Sequence, residues 1–158
     1  MNPSGAPLDR SPTSAALAAV EARCFDRPWN EADYDAFRKN VHIQAWSLRG
    51  PGGAPIAFLL GQLLAGEGEL LRIGVLPERR GTGWGHELLA RWVGHCRQEG
   101  AGRLLLEVRA GNEAAIRLYR GAGFEPFSRR PAYFKEPLED ALLFRCELTA
   151  GAEARGAE

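Results

Sequence analysis

Residues 79–86 read RRGTGWGH, with glycine at 81, 83 and 85. An apolar run (Leu70, Leu71, Ile73, Val75) lies just upstream. Downstream, Leu88, Leu89, Trp92, Val93 and Cys96 recur at helical spacing, with Glu87, Arg91 and Arg97 on the other side. Strand, glycine turn and helix in that order expose main-chain N–H groups at a helix N-terminus, where phosphates bind without many side chains. No Gly-Lys-Ser/Thr closes the turn, so it is not a Walker loop. Its alternating glycines also miss the wider GxGxxG dinucleotide spacing. The spacing alone admits a second reading, a tight strand-to-helix turn that holds no ligand.

Outward from this turn, residues 103–109 read as a strand whose centre, Leu104-Leu105-Leu106, is apolar on both faces. Asn112 caps a short helix to about Gly121, and strands over 124–129 and 138–148 follow. Upstream, Thr13 or Ser14 caps a helix to about Cys24, and Asn30 caps another to about Asn40. Strands over 43–48 and 55–64 are joined by Gly50-Pro51-Gly52-Gly53, and 69–75 is the next strand. The central strand-helix-strand crossover requires a parallel pair, whereas the hairpins are antiparallel. An α/β fold with a mixed sheet and helices on both faces follows. Residues 1–12, rich in Pro, Gly and Ser, read as a flexible arm, 13–149 as one domain, and the Ala/Gly-rich 150–158 as a disordered tail.

A chain of 158 residues accommodates one domain with a real core. Lys+Arg and Asp+Glu balance at 20 each, so no global field attracts nucleic acid or a membrane, and any grip on an anion must be local. No apolar run approaches the roughly 20 residues that span a bilayer, and the N-terminus lacks the basic-then-apolar order of a signal peptide. Cys24, Cys96 and Cys146 sit far apart among apolar neighbours, as reduced core thiols of a cytoplasmic protein do. His42, His86 and His95 have no ligand partners at zinc spacing, so no metal is expected.

Residues 106–124 read LEVRAGNEAAIRLYRGAGF, placing Asn112, Ala115, Leu118, Tyr119, Gly123 and Phe124 in an Asn-x-x-Ala-x-x-Leu-Tyr-x-x-x-Gly-Phe pattern. Upstream, Arg80, Gly83 and Gly85 form Arg/Gln-x-x-Gly-x-Gly/Ala. The two motifs together resemble the GNAT acetyltransferase superfamily. Residues 20–37, VEARCFDRPWNEADYDAF, and 129–134, RRPAYF, with Glu139-Asp140-Ala141, are similar to its RimI branch, whose members acetylate the N-terminal alanine of a ribosomal protein. The resemblance runs from about Thr13 to Leu148.

The resemblance implies a single-domain GNAT fold in which a splayed strand pair holds coenzyme A, with acetyl-CoA as co-substrate. By the same resemblance, the main chain of Ile73, Gly74 and Val75 pairs with the pantetheine arm. Arg80, Gly81, Thr82, Gly83, Trp84, Gly85 and His86 belong to the diphosphate site, and Asn112 contacts the coenzyme as well as capping its helix. Trp84 and Trp29 read from their residue type as packing residues, with Trp84 also a candidate cover for the coenzyme. The implied acceptor is a protein or peptide N-terminus, ribosomal proteins included, bound by a monomer or weak dimer. Tyr133 is the implied acceptor-binding residue. The RimI branch carries paired tyrosines after its Arg-Arg; here one of them is replaced, by Ala132 or by Phe134.

Amine acetylation requires a neutral amine, a place for the oxyanion and a proton for the leaving thiolate. Glu107 follows the leucine run, where burial rules pair a carboxylate with a cation, here Arg109 or Arg72. The resemblance makes Glu107 the base instead, with apolar neighbours favouring its neutral form. Tyr119 reads as core packing from its spacing. The resemblance brings its hydroxyl to the coenzyme sulfur as general acid, since a phenol with pKa about 10 is protonated at neutral pH. An α-amine titrates near 8 and a lysine near 10.4, so the α-amine is neutral more often by a factor of about a few hundred. One glutamate therefore suits an α-amine. A lysine or small-molecule acceptor, and a non-catalytic acyl-CoA-binding module, are the alternatives.

Overall fold

Thr13 starts the first helix by accepting a hydrogen bond from the Ala16 N–H at 3.1 Å, and α1 then runs Ser14–Cys24. A reciprocal capping box, Asn30 with Asp33, starts α2 (Glu31–Phe37). This helix stops short of the expected Asn40: the Lys39 and Asn40 N–H groups bond back three residues, tightening its end into turns. The computed structural model describes residues 1–148. Its remaining elements are β1 (Leu8–Asp9), β2 (Ile43–Arg49), β3 (Pro55–Leu64), β4 (Glu67–Val75), α3 (Trp84–Gln98), β5 (Arg103–Arg109), α4 (Glu113–Gly121), β6 (Glu125–Lys135) and β7 (Leu138–Glu147). The strands hydrogen-bond in the order β1-β2-β3-β4-β5-β7-β6, a mixed sheet in which β4 and β5 are parallel.

The residues expected as a flexible arm instead take up regular structure. Pro3–Gly5 form a 3-10 turn, Ala6 is buried, and β1 pairs with β2 through Leu8↔Leu48 and Asp9↔Ser47. A two-residue strand carries too little alternation to read, and its partner lies some forty residues away, so composition misleads here. The expected tail, residues 150–158, and the domain boundary at 149 lie outside the described residues.

The residues group into two compact units. One comprises Met1–Gln62 and Leu71–Trp92. Its core gathers Leu17, Val20, Tyr34, Ala45, Phe58 and Leu60, with Phe25, Trp29 and Leu71 packed against them. Gly61 belongs to this packing, since a Cβ there would come within 2.5 Å of the Trp92 indole. The Trp92 Nε1–H donates to Gln44 Oε1 at 2.9 Å.

The other unit comprises Leu63–Leu70 and residues 93 onward. The parallel register runs from Glu67↔Arg103 to Leu70↔Leu106, so Ile73, Gly74 and Val75 lie past its last pair. β7 accompanies β5 along its length, from Arg103↔Glu147 to Arg109↔Ala141. The two-faced burial expected of Leu104-Leu105-Leu106 is corrected. Leu104, Leu106 and Val108 are buried, Leu105 is half-buried, and Arg103 and Glu107 are exposed, the alternation of a strand with one solvated face.

Candidate functional site

In the first unit the candidate site is made of main chain. Gly74, at the end of β4, is buried; a Cβ there would meet Phe58 at 2.5 Å and Phe25 at 3.2 Å. Its missing side chain therefore serves core packing. β4 ends at Val75, and the Leu76 N–H donates to Ile56 O at 2.9 Å. The chain then makes a 3-10 turn over Pro77–Arg79 and enters the glycine turn. Arg80 turns back: its Nε donates to Val75 O at 3.0 Å and an Nη to Cys24 O at 3.3 Å. The motif arginine thus ties the end of α1 to the end of β4.

Gly81 and Gly83 have φ of 75° and 94°, which a side chain would strain. The Thr82 hydroxyl donates to Arg79 O at 2.6 Å and tightens the bend. The first helical bond of α3 runs from the Glu87 N–H to Gly83 O at 2.9 Å. The N–H groups of Trp84, Gly85 and His86 consequently have no intrahelical acceptor, and the helix dipole adds about half a positive charge at that end. Gly81, Thr82, Gly83 and His86 are exposed. Trp84 is 2% exposed, so its indole belongs to the core and is no cover for a ligand; what it presents at the turn is main chain. The arrangement can grip an anion through amides.

Behind this strand lies a buried carboxylate that spacing did not single out. Glu21, fully buried, accepts from Arg72 Nε at 2.6 Å, from the Tyr34 hydroxyl at 3.2 Å and from the Trp29 N–H at 3.2 Å. The Arg72 guanidinium also stacks on Phe25 and Trp29, 3.9 and 4.1 Å from the ring centroids. Burial, followed by the charge and hydrogen bond of Glu21, pushes the Tyr34 phenol far above its ordinary value.

In the second unit the candidate groups are side chains. Glu107 is exposed, and its expected ion-pair partners are corrected: Arg72 pairs with Glu21 and Arg109 with Glu139, whereas Glu107 receives Arg130 Nη1 at 3.0 Å. Glu69, which sequence reading missed, lies opposite Leu105, on the face that carries Glu107 two residues on. Burial, then the negative charges of Glu107 and Glu67, raise the Glu69 carboxyl above its usual range. Only the register between β4 and β5 reveals that neighbourhood.

Asn112 accepts from the Ala115 N–H at 3.2 Å and caps α4. Tyr119, 7% exposed, packs tilted near Phe124 and edgewise near Phe144, with ring centroids 6.2 and 6.4 Å away. Burial pushes its phenol up to about 12. Tyr133 stands exposed where the register of β6 slips between Arg130 and Phe134. Ala132 adopts φ 51° there, held by its N–H donating to Asp140 Oδ1 at 2.7 Å. That bond and the Arg129 ion pair hold the Asp140 carboxyl below its usual range. Arg130 lies over the Tyr133 ring at 5.4 Å, and Arg109 over Phe134 at 4.2 Å.

The profile of the Acetyltransferase (GNAT) family matches residues 14–124. An uncharacterized protein of Mycobacterium leprae is 36% identical over 135 residues, 82% of this chain but 37% of that longer protein, so the chain spans little more than a third of it. The N-alpha-acetyltransferase RimI of Mycobacterium tuberculosis is 33% identical over 134 residues, 81% of this chain and 82% of that protein. The ribosomal protein bS18-alanine N-acetyltransferase of Escherichia coli is 30% identical over 126 residues, 78% of this chain and 84% of that protein. The crystal structure of the ribosomal-protein-S18-alanine N-acetyltransferase from Escherichia coli superposes with a TM-score of 0.81 at 29% identity, covering 90% of this chain and 93% of that one.

Proposed function

The chain belongs to the GNAT acetyltransferase family and is an N-acetyltransferase; from that premise we propose that it moves acetyl from acetyl-CoA to a protein N-terminal α-amine by direct transfer. One observation carries the reading: the α3 N-terminus offers amides unsatisfied within the helix, behind a turn bent by two positive-φ glycines. These amides, from Gly81 to His86, hold the diphosphate. The main chain of Ile73, Gly74 and Val75 holds the pantetheine arm, and Asn112 contacts the coenzyme beside its capping role. Arg80 serves the site through the bend it ties down, not through its own charge.

Glu107 takes the proton from the acceptor ammonium, directly or through a water. The freed nitrogen attacks the thioester carbonyl, forming the C–N bond, and the tetrahedral intermediate then breaks its C–S bond. Tyr119 gives its proton to the departing thiolate and recovers one from solvent, while the nitrogen sheds its second proton and Glu107 passes on the first, both to solvent, so each turnover releases one proton overall. Arg130 must leave Glu107 for this to happen; the arginine is half exposed, and such pairs cost about 1 kcal/mol or less to open. Tyr133 contacts the acceptor beyond its amine. Acting as a cytoplasmic monomer or weak dimer, the enzyme would modify a protein terminus, a ribosomal protein being one such acceptor.

A panel of peptides with free and blocked N-termini, read by mass spectrometry, tests the acceptor. Free termini are expected to gain one acetyl group, and blocked peptides containing lysine none. Equal reaction of both would assign the enzyme to lysine or small-amine acceptors.

A further inference from the structure

The side chain of Arg91 ties the amino-terminal turn to α3. Arg91 Nε donates to Glu87 Oε2 at 2.7 Å, Nη1 to Ala6 O at 2.9 Å, and Nη2 to Ser4 O at 3.0 Å and Pro3 O at 3.3 Å. One guanidinium thus spans a helix carboxylate and three carbonyls of residues 3–6, a use of its planar fork that lysine cannot copy in full. The turn is shaped before it docks: Asn2 Oδ1 accepts from the Ser4 N–H and hydroxyl, each at 3.0 Å. Ala6 is 3% exposed, and β1 then continues the segment into the sheet.

This clamp acts at the helix end that carries the glycine turn. Glu87, which holds Arg91, supplies the N–H of the first helical bond, to Gly83 O. The Pro3 ring comes within 3.8 Å of the point where a side chain on Gly83 would begin. A neutral ring set beside positively polarised amides displaces water from one side of them, which strengthens their pull on an anion. Composition alone would leave a Pro-, Gly- and Ser-rich segment without fixed structure.

We propose that residues 3–6 are one wall of the donor's diphosphate site, with Arg91 the positioning residue that holds this wall beside Gly83. The proposal rests on the acyl-donor reading above and adds a binding element outside the glycine motif. Its signature is selective: it concerns donors that carry a diphosphate and is indifferent to the acyl end.

Steady-state kinetics of the full chain with acetyl-CoA and with acetyl-pantetheine, which lacks the diphosphate, tests this. Arg91→Met is expected to raise KM for acetyl-CoA about five- to tenfold, the worth of a few such hydrogen bonds. The kcat and the KM for acetyl-pantetheine stay unchanged. Deletion of residues 2–6 reproduces the effect, and Arg91→Lys recovers part of it; thermal melts identify any variant that has lost its fold. An unchanged acetyl-CoA KM in both the Met and deletion variants, or an equal rise for both donors, overturns the proposal. A wild-type enzyme that does not prefer acetyl-CoA over acetyl-pantetheine overturns the donor reading itself.

Discussion

The two units build their candidate groups from different material. In the first, the proposed grip on an anion is main chain, and the side chains of Arg80, Thr82 and Arg91 hydrogen-bond to backbone carbonyls. In the second, Glu107, Tyr119 and Tyr133 offer their own functional groups, and the backbone only aims them. A main-chain site is specified by where a chain bends and where a helix begins, features that glycine spacing encodes locally. A side-chain site depends on what each group meets, and those partners come from distant strands. Substitutions in the two units should therefore fail in different ways: donor affinity in the first, turnover in the second.

The largest effect is expected at the two groups proposed to move protons. Glu107→Gln should lower kcat about 10²- to 10⁴-fold, and Tyr119→Phe about 10²-fold, with acetyl-CoA affinity by calorimetry nearly unchanged. Because burial raises the Tyr119 phenol to about 12, it keeps its proton throughout the neutral and mildly alkaline range. Any loss of kcat between pH 8 and pH 10 should thus persist in Tyr119→Phe; if that limb vanishes in the variant, Tyr119 itself is titrating there.

Next comes the buried carboxylate of the first unit. Glu21→Ala strands the Arg72 charge and the Tyr34 hydroxyl, and should cost about 3–5 kcal/mol in denaturant unfolding. A cost under about 1 kcal/mol would show that the network adds little. The smallest effect is expected at the turn. Gly83→Val forces a branched side chain to φ 94°, a strain of about 1–3 kcal/mol. It should weaken acetyl-CoA binding about tenfold or more while circular dichroism stays native. Unchanged affinity would remove the turn from the donor site.

Much of this is legible in the sequence. Thr13, Asn30 and Asn112 cap the helices that their residue types announced, because an N-cap is a contact between residues two or three apart. Strands β3 and β5 fall where their apolar runs lie. The glycine turn follows the same rule, its positive φ values needing no distant partner. The first strand was not legible, since Leu8–Asp9 becomes a strand only against Leu48 and Ser47.

The sequence by itself determined the order of elements from α1 onward, the family and the bend that presents the amides, all consequences of neighbours along the chain. Tertiary structure alone decided that Arg130 meets Glu107, that Glu69 stands on the same face, that Trp84 is core, and that Arg91 holds the first residues beside the glycine turn. The physical reason is one of range. A dihedral preference or a cap acts over a few residues, whereas an ion pair or a buried ring takes whichever partner the folded sheet brings within reach.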